Sequence, residues 1–190
     1  MYILLETERL LLRRFTEDDL EHLFNLDNDP DVMRYINGGV PAPRELIEQT
    51  ILPVFLHYDE SHPGFGFWAA IEKNTGDFLG WFCFRPSDES PKEAILGYRL
   101  HKTAWGKGYA TEAARALIDK GFRKTNIQRV VATTYQDNLA SRRVMEKVGM
   151  KFVRAFRLTP EDIIKSDTSV TDSMAVWEGD DVAYALARAA

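Results

Sequence analysis

GYRLHKTAWGKGYAT, residues 97–111, is the stretch on which the fold turns. Ile95, Leu96, Tyr98 and Leu100 make a bulky apolar run suited to a buried strand. From Ala110 the apolar residues recur at Ala113, Ala114, Leu117, Ile118, Gly121 and Phe122, the three- and four-residue spacing of a helical stripe. Strand, glycine-punctuated loop and helix therefore follow one another. Gly106 and Gly108 place no side chain in the way of a molecule approaching the backbone. The N–H groups of Lys107, Gly108, Tyr109 and Ala110 have no helical carbonyl to bind, and the helix dipole adds partial positive charge at the same point. Such a loop can cradle a pyrophosphate.

Three readings compete for it. A P-loop requires GxxxxGK[ST], but here Lys107 lies between the glycines and Tyr109 follows the second. A dinucleotide fingerprint requires GxGxxG, and Thr111 stands where the third glycine belongs. The third reading is a tight strand-to-helix turn that needs glycine for geometry alone, and the loop by itself does not exclude it.

Outward from this stretch, Arg9 to Arg14 reads as a first strand. Thr16 reads as an N-cap with Asp19 three residues on, and Phe15 with Leu20 as a hydrophobic staple. The helix that follows is expected to bury Leu20, Leu23 and Phe24. A short segment, Asp31 to Ile36, ends at Gly38 and Gly39. Pro43 suits the first turn of a further helix carrying Leu46, Ile47, Ile51 and Phe55, which Pro53 should kink or divide. Phe65 to Ile71 and Phe78 to Phe84 flank the turn Asn74-Thr75-Gly76-Asp77 as a hairpin. A polar loop with Pro86 and Pro91 precedes the strand from Ala94 to Leu100. Beyond the central helix come a β-branched strand, Arg129 to Thr134, and a short helix from Asn138 to Lys147 stopped by Gly149. Met150 to Leu158 reads as a strand, and Val182 to Leu186 alternates weakly as a last strand would, although its alanines suit a helix as well. The pattern predicts one α/β domain, its mixed, mostly antiparallel sheet flanked by helices on both faces.

Composition narrows the classes. A chain of 190 residues, 45% hydrophobic and 28% charged, fits a single soluble domain with one substantial core. The net charge of −5 gives no general affinity for nucleic acid or anionic membrane. That charge and the acidic stretch 160–180 favour a cationic binding partner. The lone cysteine, Cys83, excludes an internal disulfide and sits in a strand-like FCF context as a core residue. His22, His57, His62 and His101 lack ligand spacing, so no metal site is expected. No apolar run is long enough for a bilayer, and MYILLETERLLLRRF lacks the form of a signal peptide, so a reduced, cytoplasmic protein is expected.

LxxRxFTxDDL, DPDVMRYI, GYRLHKTAWGKGYATEAA and DNLASRRVMEKVGM, in this order and spacing, resemble the GNAT superfamily of N-acetyltransferases, and among them the RimJ/RimL-like branch. The resemblance runs from residue 4 to about residue 158. It implies a single domain over 1–190, with an acetyl-CoA-binding core at about 94–150 and an acceptor side at about 15–85 and 155–180. It implies that the donor pyrophosphate lies on Trp105, Gly106, Lys107, Gly108, Tyr109, Ala110 and Thr111, and that pantetheine runs along Tyr98, Arg99 and Leu100. Trp105 departs from the Gln or Arg usual in the family. Asn138 would cap its helix and hold the pantetheine arm. Arg142, Arg143 and Lys147 are candidates for the outer phosphate of CoA. Met33, Arg34, Tyr35, Phe67 and Trp81 are expected walls of the acceptor pocket. The acceptor implied is a small-molecule amine or a protein N-terminus, in a monomer or homodimer without nucleic acid or membrane.

Attack requires a neutral amine, so a carboxylate could take the proton directly or through water. Many relatives carry Glu where this chain has Ile95; Glu93, on the same strand face, is the substitute candidate, and the alternative for it is a solvated loop acid. The leaving thiolate also needs a donor. Met145 stands where many relatives have tyrosine, and Ser141 of the NxxS pattern is the candidate in its place, with a helix-capping serine as the alternative. Glu112, in the first turn of the central helix, reads as structural. Two functions follow: direct acetyl transfer from acetyl-CoA to a primary amine in a ternary complex, or a non-catalytic acyl-CoA-binding module.

Overall fold

The computed structural model describes residues 2–157 and 179–189. An eight-stranded sheet runs through them: β1 (Ile3–Glu6), β2 (Leu10–Arg13), β3 (Gly66–Glu72), β4 (Phe78–Ser87), β5 (Ser90–Leu100), β6 (Arg129–Tyr135), β7 (Lys151–Phe156) and β8 (Asp181–Ala187). The spatial order is β1-β2-β3-β4-β5-β6-β8-β7, and only the β5–β6 pair is parallel. The alternation of strand side chains divides the core. Trp68, Phe82, Phe84 and Leu96 point to one face and pack with Ala113, Ala114, Leu117 and Ile118 of α5 (Tyr109–Lys124). Phe67, Ala69, Trp81 and Cys83 point to the other and pack with Leu23, Leu26, Ile51 and Phe55. The helices on that second face are α1 (Leu20–Asp27), α2 (Pro30–Asn37), α3 (Arg44–Leu46) and α4 (Leu52–Ser61); α6 (Leu139–Lys147) contributes Met145 to the first. Helices thus cover both faces.

Several local expectations hold for visible reasons. Thr16 opens a capping box whose Asp19 carboxylate accepts from the Thr16 N–H at 2.8 Å and is gripped by Arg13 at 2.7 Å through both oxygens. Burial alone would raise the Asp19 pKa, but the Arg13 and Thr16 hydrogen bonds hold it below the ordinary value. Gly121 faces the sheet where a Cβ would lie 2.4 Å from Phe84 Cζ, so α5 can sit this close only with glycine there.

Others are corrected. Leu20 and Phe24 are half-buried, and Leu26 is the fully buried member of α1 with Leu23. Pro53 divides its helix without ending it. Lacking an N–H, it follows a π turn, Ile47–Ile51, in which the Leu52 N–H reaches back to Ile47 O and the widened backbone joins α3 to α4. The sheet begins earlier than Arg9, with the four-residue strand β1 paired to β2. The supposed Pro86–Pro91 loop is instead a continuation of the β4–β5 hairpin, with Ser87 opposite Ser90 and a register shift beside Pro86 that spares the ladder. Glu93 is therefore a strand residue. The end of the expected Met150–Leu158 strand and most of the 155–180 acceptor segment lie outside the described residues.

Candidate active site

The parallel register of β5 and β6 pairs Glu93 with Arg129, Ala94 with Val130 and Ile95 with Val131, and stops there. Both strands continue, β5 to Leu100 and β6 to Tyr135, and they diverge. The wedge between them opens into a cleft of about 540 Å³, lined from one side by Leu96, Gly97, Tyr98, Arg99 and Leu100 and from the other by Thr133 and Thr134. Beyond Ile95, the backbone edge of β5 facing the wedge has lost its strand partner, so an extended amide-bearing chain can pair with it.

At the end of β5 the chain turns through Trp105 to Gly108 into α5. Gly106 at φ +73° and Gly108 at φ +86° both occupy the left-handed region that side chains disfavour, and a Cβ on Gly106 would project into open space. The first bond of the helix is Glu112 N–H to Gly108 O at 3.0 Å, which leaves the N–H groups of Tyr109, Ala110 and Thr111 without a helical carbonyl. Trp105 has a local reason to replace a polar residue: its indole N–H donates to Leu100 O at 2.8 Å and clips the loop to the strand end. From below, the Arg9 guanidinium donates to Lys107 O at 2.9 Å and to Glu112 Oε2 at 2.7 Å, while Thr7 and the Arg9 N–H bind Glu112 Oε1 at 2.5 and 2.9 Å. These contacts hold the Glu112 carboxyl below its ordinary pKa although burial opposes them. Glu112 is thus a fastener for the loop.

On the far wall, Asn138 Oδ1 accepts from the Ser141 N–H at 3.2 Å and caps α6. Ser141 Oγ lies 2.9 Å from the Tyr98 hydroxyl. Burial pushes the Tyr98 phenol up to about 12, with the Ser141 hydrogen bond pulling the other way, so Tyr98 stays protonated at any ordinary pH. Tyr98 can then donate to Ser141 Oγ and free the serine proton for a third group. The sequence assigned Tyr98 to cofactor contact only; this pairing joins residues far apart in the chain and has no sequence signal.

Of the remaining expected residues, Arg99, Leu100, Trp105, Gly106, Gly108, Ala110, Thr111, Asn138 and Arg143 line the cleft, as do Tyr35, Phe67 and Trp81 at its other end. Lys147 lines it too, but Arg142 is turned inward, bonding Gln136 O at 3.0 Å and the Tyr184 hydroxyl at 3.1 Å. Lys107 is exposed outside the lining, and the Tyr109 ring is buried beneath Arg9 with its hydroxyl on Glu72, so only their backbone faces the loop's concavity. Met33 is fully buried outside the cleft; the helical period of α2 presents Val32, Tyr35 and Ile36 instead. Glu93 is not brought to the cleft either. It is 5% exposed, accepts from Ser87 Oγ at 2.9 Å and is paired with Arg129 on β6, where it fastens the parallel stretch. Asp31 is the carboxylate among the described lining residues, and Lys102 engages it. Cleft residues that sequence reading missed include Thr133, Thr134 and Arg85, and Cys83 proves to be both core and lining. Burial raises the Cys83 thiol, which therefore stays protonated.

Among the described residues, no group of three or more His, Cys, Asp or Glu side chains is placed to hold a metal ion, and no helix is long and apolar enough to cross a membrane.

Comparison with known proteins meets this geometry from outside. The acetyltransferase (GNAT) domain family matches residues 9–151. YkkB of Bacillus subtilis (strain 168) is 36% identical over 157 residues, covering 80% of this chain and 88% of its own. The FsC-acetyl coenzyme A-N(2)-transacetylase of Aspergillus fumigatus is 32% identical over 159 residues, covering 80% of this chain and 66% of its own. The crystal structure of a GNAT-family acetyltransferase from Bacillus anthracis superposes with a TM-score of 0.73 at 28% identity, covering 98% of both chains. The match takes in the glycine loop, the wedge and the Asn138–Ser141 cap together, and the chain accordingly belongs to the GNAT family and is an acetyl-CoA-dependent acetyltransferase.

Proposed function

We propose that the protein transfers acetyl from acetyl-CoA directly to a primary amine held at the Tyr35–Phe67–Trp81 end of the cleft, and that it belongs to the RimJ/RimL-like branch. When bound, acetyl-CoA supplies an activated acetyl thioester. The N–H groups of Tyr109, Ala110 and Thr111, at left-handed glycines with no Cβ in the way, suit its pyrophosphate, and Arg143 and Lys147 suit its outer phosphate. The unpaired edge of β5 suits the pantetheine amides. Direct transfer is supported by the buried, protonated Cys83.

The observation that carries the reading is the Ser141–Tyr98 hydroxyl pair on the cleft wall. Ser141 donates to the departing sulfur as charge develops there, and Tyr98 replaces the hydrogen bond that Ser141 gives up. Met145, which is buried at the position of the family's tyrosine, is then no obstacle to chemistry. Glu93 we assign to holding β5 against β6. With Asp31 engaged by Lys102, the amine proton passes to water, and substrate placement does much of the work.

The test is thiol release from acetyl-CoA over a panel of amines and N-terminal peptides, with initial rates taken at several concentrations of both substrates. Intersecting double-reciprocal lines are expected. Parallel lines, with an acetyl group trapped on Cys83, would replace direct transfer by a covalent route.

A further inference from the structure

The face of the sheet beneath α1–α4 carries a cluster that acetyl-CoA binding does not use. In register on neighbouring strands, Trp81 lies opposite Arg99, Cys83 opposite Gly97 and Arg85 opposite Ile95. Trp81, Cys83, Arg85 and Arg99 all line the acceptor end of the cleft. The two guanidinium groups are treated differently. Arg99, 8% exposed, is paired with the buried Asp27 at 2.6 Å and lies over the Trp81 ring. Arg85 is half-buried, with its guanidinium 5.7 Å from the Phe67 ring centre, and among the described residues no carboxylate lies within ion-pairing distance of it. Among the described residues its Nε is buried without a hydrogen-bond partner, as are Trp81 Nε1 and Arg99 Nε on the same wall and, its ion pair apart, Asp27 Oδ1 behind it.

This arrangement is costly in a free protein. A guanidinium partly removed from water loses hydration, and the Arg85 contact with the protonated Cys83 thiol, a weak acceptor, returns little of it. Of the other charges nearby, Asp27 is taken by Arg99 and Asp31 by Lys102. Among the described residues, one positive charge is thus left over on this wall, opposite Ile95 and so two strand positions, roughly 7 Å, along β5 from Gly97. A planar fork with an open charge matches a carboxylate, which it can hold through both oxygens.

We propose that Arg85 forms an anion subsite, and that the acceptor is a small amine bearing a carboxylate, an amino acid or amino-acid derivative. The proposal rests on the acetyltransferase reading and narrows its acceptor. It also reverses the preference for a cationic partner that net charge alone suggests: the charge that selects is the local one.

The experiment compares thiol release with proteinogenic L-amino acids and with their carboxamides, with a polyamine as control, in the wild-type protein, Arg85→Gln and Arg85→Lys. For the best amino acid, the wild type should favour acid over amide in kcat/KM by about ten- to a hundredfold. Arg85→Gln should bring that ratio close to one, and Arg85→Lys should restore part of it. Equal use of acid and amide by the wild type, a preference for the polyamine, or a ratio indifferent to Arg85→Gln each overturns the subsite while leaving acetyl transfer standing. If no amine releases thiol, it is the transferase reading that fails. Calorimetric titration of N-acetyl amino acids into CoA-saturated protein then decides the subsite by itself: binding lost in Arg85→Gln supports it, and no binding to the wild type refutes it.

Discussion

Removing the Ser141 hydroxyl separates chemistry from architecture. Ser141→Ala leaves the backbone N–H that Asn138 caps, so α6 keeps its start. It also leaves the Tyr98 hydroxyl a fallback acceptor, the Ser141 carbonyl at 3.3 Å, so Tyr98 is not stranded and stability should change by less than about 1 kcal/mol. The lost donor acts only as the sulfur gains charge. The expected effect is therefore on kcat, about ten- to a thousandfold, with little change in KM for acetyl-CoA. Tyr98→Phe should reduce kcat by less, because Ser141 retains its own proton. The double variant should resemble Ser141→Ala, since Tyr98 works only through Ser141. The pH dependence adds a separate check. With Tyr98 raised to about 12, kcat should show no basic limb near pH 10, where an ordinary tyrosine titrates. Steady-state thiol release and a calorimetric acetyl-CoA titration measure all of this. Full turnover in Ser141→Ala, or two single effects that simply add, would show that the hydroxyl pair is not a relay.

Gly108→Val places a branched side chain at φ +86°, with its Cβ 3.4 Å from Arg9 Nη2, and should weaken acetyl-CoA by about tenfold or more in calorimetry; unchanged affinity would remove the loop from the site. Gly121→Ala drives a methyl towards Phe84 and should destabilise the fold by about 1–3 kcal/mol in urea unfolding, with Phe84→Leu relieving part of the loss. Asp19, whose folded pKa is lowered, contributes stability that is present above its unfolded pKa of about 3.9 and is lost as pH falls through the folded value. Asp19→Asn should therefore cost about 3 kcal/mol at neutral pH, leaving Arg13 without its partner, and the gap to wild type should narrow on acidification below pH 4; a gap constant with pH would mean that the carboxylate charge is irrelevant.

Which parts of this were legible in the sequence depends on the range of the interactions involved. The glycine loop, the Thr16–Asp19 box, the Asn138 cap and the Asn74–Asp77 turn are set by residues within a few positions of one another, and local chemistry announces them. The acceptor wall is not local. Arg85 and Glu93 flank a stretch whose prolines suggest a loop, whereas the strand pairing carries the ladder past Pro86 through a register shift. Once the hairpin is continuous, strand alternation places Arg85, Cys83 and Trp81 on one face, and parallel pairing delivers Glu93 to Arg129. A residue chosen as a base for its spacing from Gly97 is thus consumed in closing the sheet.

The same parallel pairing makes the cleft. If β5 and β6 stayed in register beyond Ile95 and Val131, their backbone groups would satisfy one another and no free edge would remain for a ligand. Gly97, facing Cys83 Sγ at a distance where a Cβ would come within 2.8 Å, lies just past the last pair, and β6 continues as Thr133 and Thr134, whose side chains can meet polar groups in the gap. Glu93 and Arg129 fasten the far end of the paired stretch, two residues before the wedge opens at Ile95 and Val131, while Arg9 and Glu112 secure the loop at its mouth. Neither ion pair lies on the cleft wall, yet one holds the paired strands from which the cleft opens and the other holds its loop. Loss of the Glu93 partner should therefore alter the distance between strands that both substrates must share, and it would mimic loss of a catalytic base in a rate measurement while leaving the pH dependence of the amine unmoved.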